Sequence, residues 1–199
     1  SDFFISVSEF TLRKFCSWSR LNPDKGHILP NTIDLEKFTP GPKNPALVKR
    51  YKLENKKVIM SLGRMSASER YKGFDEILEV LPELTESNTE ITYLVVGDGD
   101  DRPRLERKAR DLVMGDRVVF AGRITEEEKV DHYRLADVFA MPGQGEGFGI
   151  VYLEALACGV PVVGSKVDGS RDALLNGELG IIVDPDSPEE VKTAIQDAL

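Results

Sequence analysis

The chain has 199 residues, of which 41% are hydrophobic and 30% charged. That is enough for one buried core, and no run approaches the roughly 18 consecutive apolar residues a membrane span needs. A formal net charge of −8 repels phosphate on average and argues against nonspecific binding to nucleic acid or an anionic membrane, so any anion site must be local.

Two cysteines, Cys16 and Cys158, are too few for a disulfide framework and lack metal-ligand spacing, which points to reduced thiols and a cytoplasmic setting. The chain opens on Ser1 and ends, from Glu189 to Leu199, inside an amphipathic helical pattern with no C-cap signal. Residues 1–199 therefore read as a single domain that is a piece of a longer protein.

Taken in order, short apolar or β-branched runs predict strands at Phe3 to Val7, Val58 to Leu62, Ile91 to Val96, Val118 to Ala121, Val138 to Met141, Val160 to Val163 and Gly180 to Val183. Helical periodicity predicts helices at Glu9 to Ser19, Phe74 to Leu84, Arg104 to Val113, Glu126 to Leu135 and Ile150 to Ala157. This alternation implies an α/β fold, a doubly wound parallel sheet of Rossmann-like kind covered by helices on both faces. Thr125 with Glu128, and Ser187 with Pro188 and Glu190, mark helix starts, while Gly159 before Val160-Pro161 marks a stop. Thr39 to Pro45, with three prolines and a glycine, reads as a turn-rich connector. In such sheets ligands bind beyond the carboxyl ends of the strands, which directs attention to the loops after Leu62, Val96, Ala121, Met141 and Val163.

The chemically richest loop is Pro142-Gly143-Gln144-Gly145-Glu146-Gly147-Phe148-Gly149, with alternating glycines immediately before a helix. Glycine lets backbone amides approach an anion closely, and the helix that follows adds unpaired N–H donors and a partial positive charge, so the loop suits a diphosphate. A flexible glycine-rich connector is the alternative. Glu146 in the loop and Glu154 one turn into the helix suit sugar and ribose hydroxyls, because ionised carboxylates accept hydrogen bonds from them. For Glu154 alone a solvated helix face is the plainer reading.

A second group follows the Val58 to Leu62 strand: Gly63-Arg64, then Lys72-Gly73 opening the next helix. Arg64 can fork onto two phosphate oxygens and Lys72 supplies a point charge, a clamp for a departing diphosphate. Ordinary surface pairing with Glu69 or Asp75 would use the same residues without function.

With these residues in view, the chain resembles the C-terminal half of the retaining GT-B glycosyltransferases grouped as family 4 (glycosyl transferases group 1). The likeness rests on Gly63-Arg64 with Lys72-Gly73, Val95 to Gly99, Val118 to Gly122, Glu146 to Ala155 and Pro30-Asn31-Thr32-Ile33-Asp34. It spans essentially the whole chain, and the two glutamates separated by seven residues are its most specific mark.

The resemblance implies a donor site of Gly63, Arg64, Lys72, Val119, Glu146, Gly147, Phe148, Gly149, Ile150 and Glu154. Within it Arg64 and Lys72 would hold the diphosphate, Glu154 the ribose, Glu146 the transferred sugar, the 148–150 amides the phosphate and sugar, and backbone near Val119 the base. Arg64, Lys72 and Glu146 would be the catalytic residues. It further implies a nucleotide-diphosphate sugar, UDP- or GDP-linked, as substrate, no metal or other cofactor, and an N-terminal acceptor-binding domain in the same protein. The full-length enzyme would be cytoplasmic, with peripheral association at the inner face of the membrane left open. A nucleotide-sugar hydrolase or epimerase of similar shape, and a noncatalytic nucleotide-binding module, are the alternatives.

The sequence departs from the family pattern in three places. The Arg64 to Lys72 interval is two residues longer, Thr32 replaces a glycine, and Asp168-Gly169 with Asp172 replaces a Gly-Gly doublet with glutamate; no role follows for Asp168 or Asp172. His27 and His132 lack triad or metal-ligand spacing and read as structural or solvated. Leu12, Phe15 and Trp18 recur at helical spacing and read as packing residues.

Overall fold

A computed structural model describes residues 3–199. The first segment forms a small β-α-β unit: β1 (Phe4–Ser6) and β2 (Gly26–Ile28) pair in parallel as a separate two-stranded sheet, joined by α1 (Glu9–Ser19). Ser8 caps α1, accepting from the Thr11 amide at 3.0 Å. The expectation that Leu12, Phe15 and Trp18 all pack fails for two of them. Leu12 is buried, but Phe15 is 42% and Trp18 81% exposed, because two strands are too narrow to cover that face of the helix. The strand of residues 26–28 was not predicted; it is short and interrupted by His27.

The main sheet has six strands: β3 (Lys57–Leu62), β4 (Ile91–Val96), β5 (Val118–Gly122), β6 (Val138–Ala140), β7 (Val162–Ser165) and β8 (Ile181–Val183). Their spatial order is β5-β4-β3-β6-β7-β8 and every pairing is parallel, which bears out the doubly wound reading. The covering helices are α2 (Pro45–Tyr51), α3 (Phe74–Ser87), α4 (Arg102–Asp111), α5 (Lys129–Tyr133), α6 (Ile150–Ala157), α7 (Ser170–Ala173) and α8 (Pro188–Ala198).

Alternation along the strands divides the core in two. Ile59, Tyr93 and Val95 meet Ile77, Leu81, Leu105, Val191 and Ile195 from α3, α4 and α8. Val58, Met60, Leu94 and Val96 meet Tyr51, Tyr133 and Tyr152 from α2, α5 and α6. Burying both faces makes the central strands apolar throughout, as in β4, where all six residues are buried.

Boundaries moved where local chemistry is ambiguous. The proline-rich connector ends at Asn44, whose side chain accepts from the Ala46 amide and starts α2 at Pro45. Helix α4 begins at Arg102 and ends at Asp111, and α5 begins only at Lys129. Half the predicted capping box is present there, the Thr125 amide donating to Glu128 at 2.9 Å, but residues 126–128 form a turn. Strand β7 starts at Val162, after Pro161, which has no amide hydrogen to donate. His132 is buried between the Tyr51 hydroxyl and the Glu128 carbonyl, a structural role.

One half-buried acid in α3, Glu76, stands outside this order. The Oε2 atom of Glu76 is buried with no hydrogen-bond partner among the described residues, and burial pushes its carboxyl up to about 7, with Asp75 and Glu79 adding repulsion. A raised folded-state pKa contributes stability that is present below the ordinary glutamate pKa and lost as pH rises through about 7. Glu76→Gln is therefore expected to flatten the pH dependence of thermal unfolding between pH 4.5 and 7 and to stabilise the protein at pH 8 by on the order of 2 kcal/mol. An unchanged melting profile would show the acid to be solvated.

Candidate functional site

Strand order reverses between β3 and β6, so the loops leaving their carboxyl ends diverge in direction yet begin side by side. That places residues 63–73 against residues 141–149. A side chain at Gly73, where φ is +88°, would meet the Met141 carbonyl carbon and the Pro142 nitrogen, both 2.8 Å from its Cβ. One at Gly143 would run into the Tyr71 carbonyl oxygen. The Gln144 amide completes the junction by donating to Tyr71 O at 2.8 Å. Glycine is required here for close backbone approach.

Two adjoining clefts, of about 400 and 330 Å³, share Leu62 and Gly63 and form one groove along this junction. Lys72, Glu146, Gly147, Phe148, Gly149 and Ile150 line the first. Arg64, Gly97, Arg123 and Lys129 are among those lining the second. Lys72 and Glu146 thus face the same space, and Arg64 stands at its continuation. Among the described residues the amides of Phe148, Gly149 and Ile150 donate to no protein acceptor. They sit at the N-terminus of α6, where the helix adds positive potential.

Both cations are also held by Glu69. Arg64 pairs with Glu69 through Nη2, and Lys72 Nζ lies 3.2 Å from Glu69 Oε2. The hydrogen bond from Arg64 keeps the Glu69 carboxyl below the usual range, and the same contact raises Arg64. Surface pairing with Glu69, the functionless alternative for these residues, is therefore real and coexists with their place at the groove. Asp75 is engaged elsewhere, by Arg104 and Lys108.

Glu154 is buried; its carboxylate accepts from Tyr133 Oη at 2.6 Å and from Lys129 Nζ at 3.3 Å. It is not itself a wall residue of the groove and touches it only through Lys129, which lines it. Val119 is not brought there. It sits three residues before the end of β5 and lines a separate cleft with Tyr51, Lys52 and Arg117, while Arg123 and Ile124, beyond the strand end, line the groove instead.

The structure adds residues to which the sequence reading gave no role. Asp168 is 2% exposed; its Oδ2 accepts from the Glu146 amide at 2.9 Å and its Oδ1 from the Ser170 amide and hydroxyl. Burial pushes its carboxyl up, against those hydrogen bonds, which favour the ionised form. Ser8 Oγ donates to Gly147 O, and Asn31, from the Pro-Asn-Thr-Ile-Asp segment, lines the groove. The only signal for Asp168 was its departure from a Gly-Gly pattern. Among the described residues no group of three or more His, Cys, Asp or Glu is arranged to hold a metal ion, and no helix is long and apolar enough to cross a membrane.

Comparison with known proteins agrees with this fold. The family model described as "Glycosyl transferases group 1" matches residues 44–199. A GDP-mannose-dependent alpha-(1-6)-phosphatidylinositol monomannoside mannosyltransferase of Mycolicibacterium smegmatis is 37% identical over 100% of this chain and 53% of its own length. A D-inositol 3-phosphate glycosyltransferase of Geodermatophilus obscurus is 32% identical over 89% of this chain and 41% of its own length. The crystal structure of HepE from Anabaena in complex with UDP and glucose superposes with a TM-score of 0.84 at 21% identity, covering 99% of this chain and 53% of that one. The chain spans about half the length of the curated relatives it matches.

Because a Cβ at residue 143 meets backbone rather than a movable side chain, Gly143→Ala is expected to force the two loops apart. Calorimetric melting should show a loss of about 2 kcal/mol, and nucleoside diphosphate binding should weaken with it. Wild-type values for both would refute the close junction.

Proposed function

This chain belongs to the glycosyl transferases group 1 family, and from that premise we propose that it is the donor-binding, C-terminal half of a two-domain retaining glycosyltransferase of family 4 type. Its groove would hold a nucleotide-diphosphate sugar whose hexosyl group passes to an acceptor hydroxyl. The observation that carries this reading is the convergence of Lys72, Glu146 and the unpaired 148–150 amides on one groove at the point where strand order reverses.

In this reading the amides and Lys72 receive the diphosphate, with Arg64 swinging from Glu69 to join them. The bond from the anomeric carbon to the diphosphate oxygen breaks with its electron pair leaving on the diphosphate, while the acceptor oxygen bonds to the same face of that carbon and its hydroxyl proton passes to the departing diphosphate oxygen. Protein cations and dipoles fixed before reaction supply the countercharge, so the proposal calls on no metal. Glu146 would hold hydroxyls of the transferred sugar, and Glu154, beside Lys129, the ribose. GDP-mannose is our first choice of donor, because the relatives at 33–37% identity are named as GDP-mannose-dependent enzymes; UDP-linked sugars come second.

The acceptor site would lie on an adjoining N-terminal domain. The bare two-stranded sheet supports this: isolated parallel pairs are seldom stable, and Ile5 (59% exposed) and Ile28 (43% exposed) leave apolar surface uncovered. The full-length enzyme would work in the cytoplasm, at the inner membrane face if its acceptor is a lipid, as the phosphatidylinositol-linked names of relatives suggest.

In the full-length enzyme Lys72→Ala is expected to lower turnover about 10²-fold, measured as sugar transferred from GDP-mannose. A near-normal rate would remove Lys72 from the mechanism. Calorimetry distinguishes the role of Glu154: Glu154→Gln should weaken GDP binding by roughly tenfold while leaving inorganic pyrophosphate binding unchanged. Equal losses for both ligands would show that the acid merely supports the fold.

A further inference from the structure

A larger cleft, of about 610 Å³, lies between α1 and the turn joining β7 to α7, and shares no wall residue with the groove. Its walls carry Arg13, Lys14, Lys166 and Arg171. Four cations around one cavity is a local reversal in a chain of net charge −8.

Not all of that charge is neutralised. Arg13 pairs with Glu9, and Lys166 with Asp184 and Glu190. Lys14 meets only the Phe10 ring, 5.4 Å away, and the Arg171 side chain has no ion pair or hydrogen bond among the described residues. Of the two acids in the wall, Glu9 is taken up by Arg13 and Asp168 turns its oxygens inward on Ser170 and the Glu146 amide. The accessible wall is therefore cationic through Lys14 and through Arg171, whose planar guanidinium fork matches phosphate oxygens. Phe10 and Val167 add apolar surface beside them.

We infer that this cleft is a second anion site, separate from the diphosphate groove, which takes a phosphate ester carried by the acceptor while the adjoining N-terminal domain holds the rest of that molecule. The assignment to the acceptor rests on the reading of Glu146 as the sugar-holding residue, since Asp168 joins the cleft wall directly to the Glu146 amide. The cavity exceeds a bare phosphate and has room for the group esterified to it. Donor phosphates have their own partners in Lys72, Arg64 and the 148–150 amides.

The test is calorimetric titration of the full-length enzyme with glycerol 1-phosphate, in the presence and absence of saturating GDP, with glycerol as the uncharged control. Binding of glycerol 1-phosphate but not glycerol is expected, unaffected by GDP. Lys14→Ala with Arg171→Ala, both exposed side chains, should weaken it about tenfold or more, while Lys72→Ala leaves it intact. Displacement by GDP, loss with Lys72→Ala, persistence in the double variant, or absence of binding to the wild type would each overturn the inference. Failure of the donor reading shows separately, as absence of GDP binding in the same cells of the experiment.

Discussion

Backbone packed directly on backbone, where the chain leaving β3 passes the chain leaving β6, is the constraint on which the site depends. Gly73 lies against Met141 and Pro142, Gly143 lies against Tyr71, and the Gln144 amide bonds across the junction. Any side chain at those glycines would separate the segments that carry Lys72 and Glu146. The junction exists because parallel strands β3 and β6 are neighbours at the reversal of strand order, where the connections leave toward opposite faces and open a crevice.

Around that junction the protein solves an electrostatic problem. Under the proposed function an acidic molecule receives an anion, and the groove offers it dipoles and a few cations rather than net charge. Glu69 holds Arg64 and Lys72 together as a carboxylate countercharge, so neither cation stands alone in the structure described. The exposed Arg64–Glu69 pair is cheap to break, since such contacts contribute little in water. Asp168 acts differently: buried and bonded to the Glu146 amide and to Ser170, it fixes the loop from behind.

The third support comes from the opening β-α-β unit. Ser8 reaches Gly147, the Glu9 amide reaches Asp172, and Asn31 lines the groove, so this small unit braces the glycine loop while leaving its own sheet unfinished. The same helix, α1, supplies Arg13 and Lys14 to the cationic cleft. One element thus touches both the groove and the cavity beside it.

What could be read without coordinates was whatever is encoded locally. Strand and helix alternation, the Ser187 cap and the glycine-rich loop follow from periodicity and residue chemistry over a few positions, as does the interest of Lys72 and Glu146, whereas the 148–150 amides were singled out by the family resemblance. Strand order is not local, and it alone brings residue 72 beside residue 146. The same holds for Asp168 and Ser8, whose partners lie far along the chain, and for Val119, which the sheet carries away from the groove. Trp18 makes the point from the other side: its spacing marks a helical face, but only the tertiary arrangement decides how far that face is covered, and here Leu12 is buried while Trp18 is left exposed.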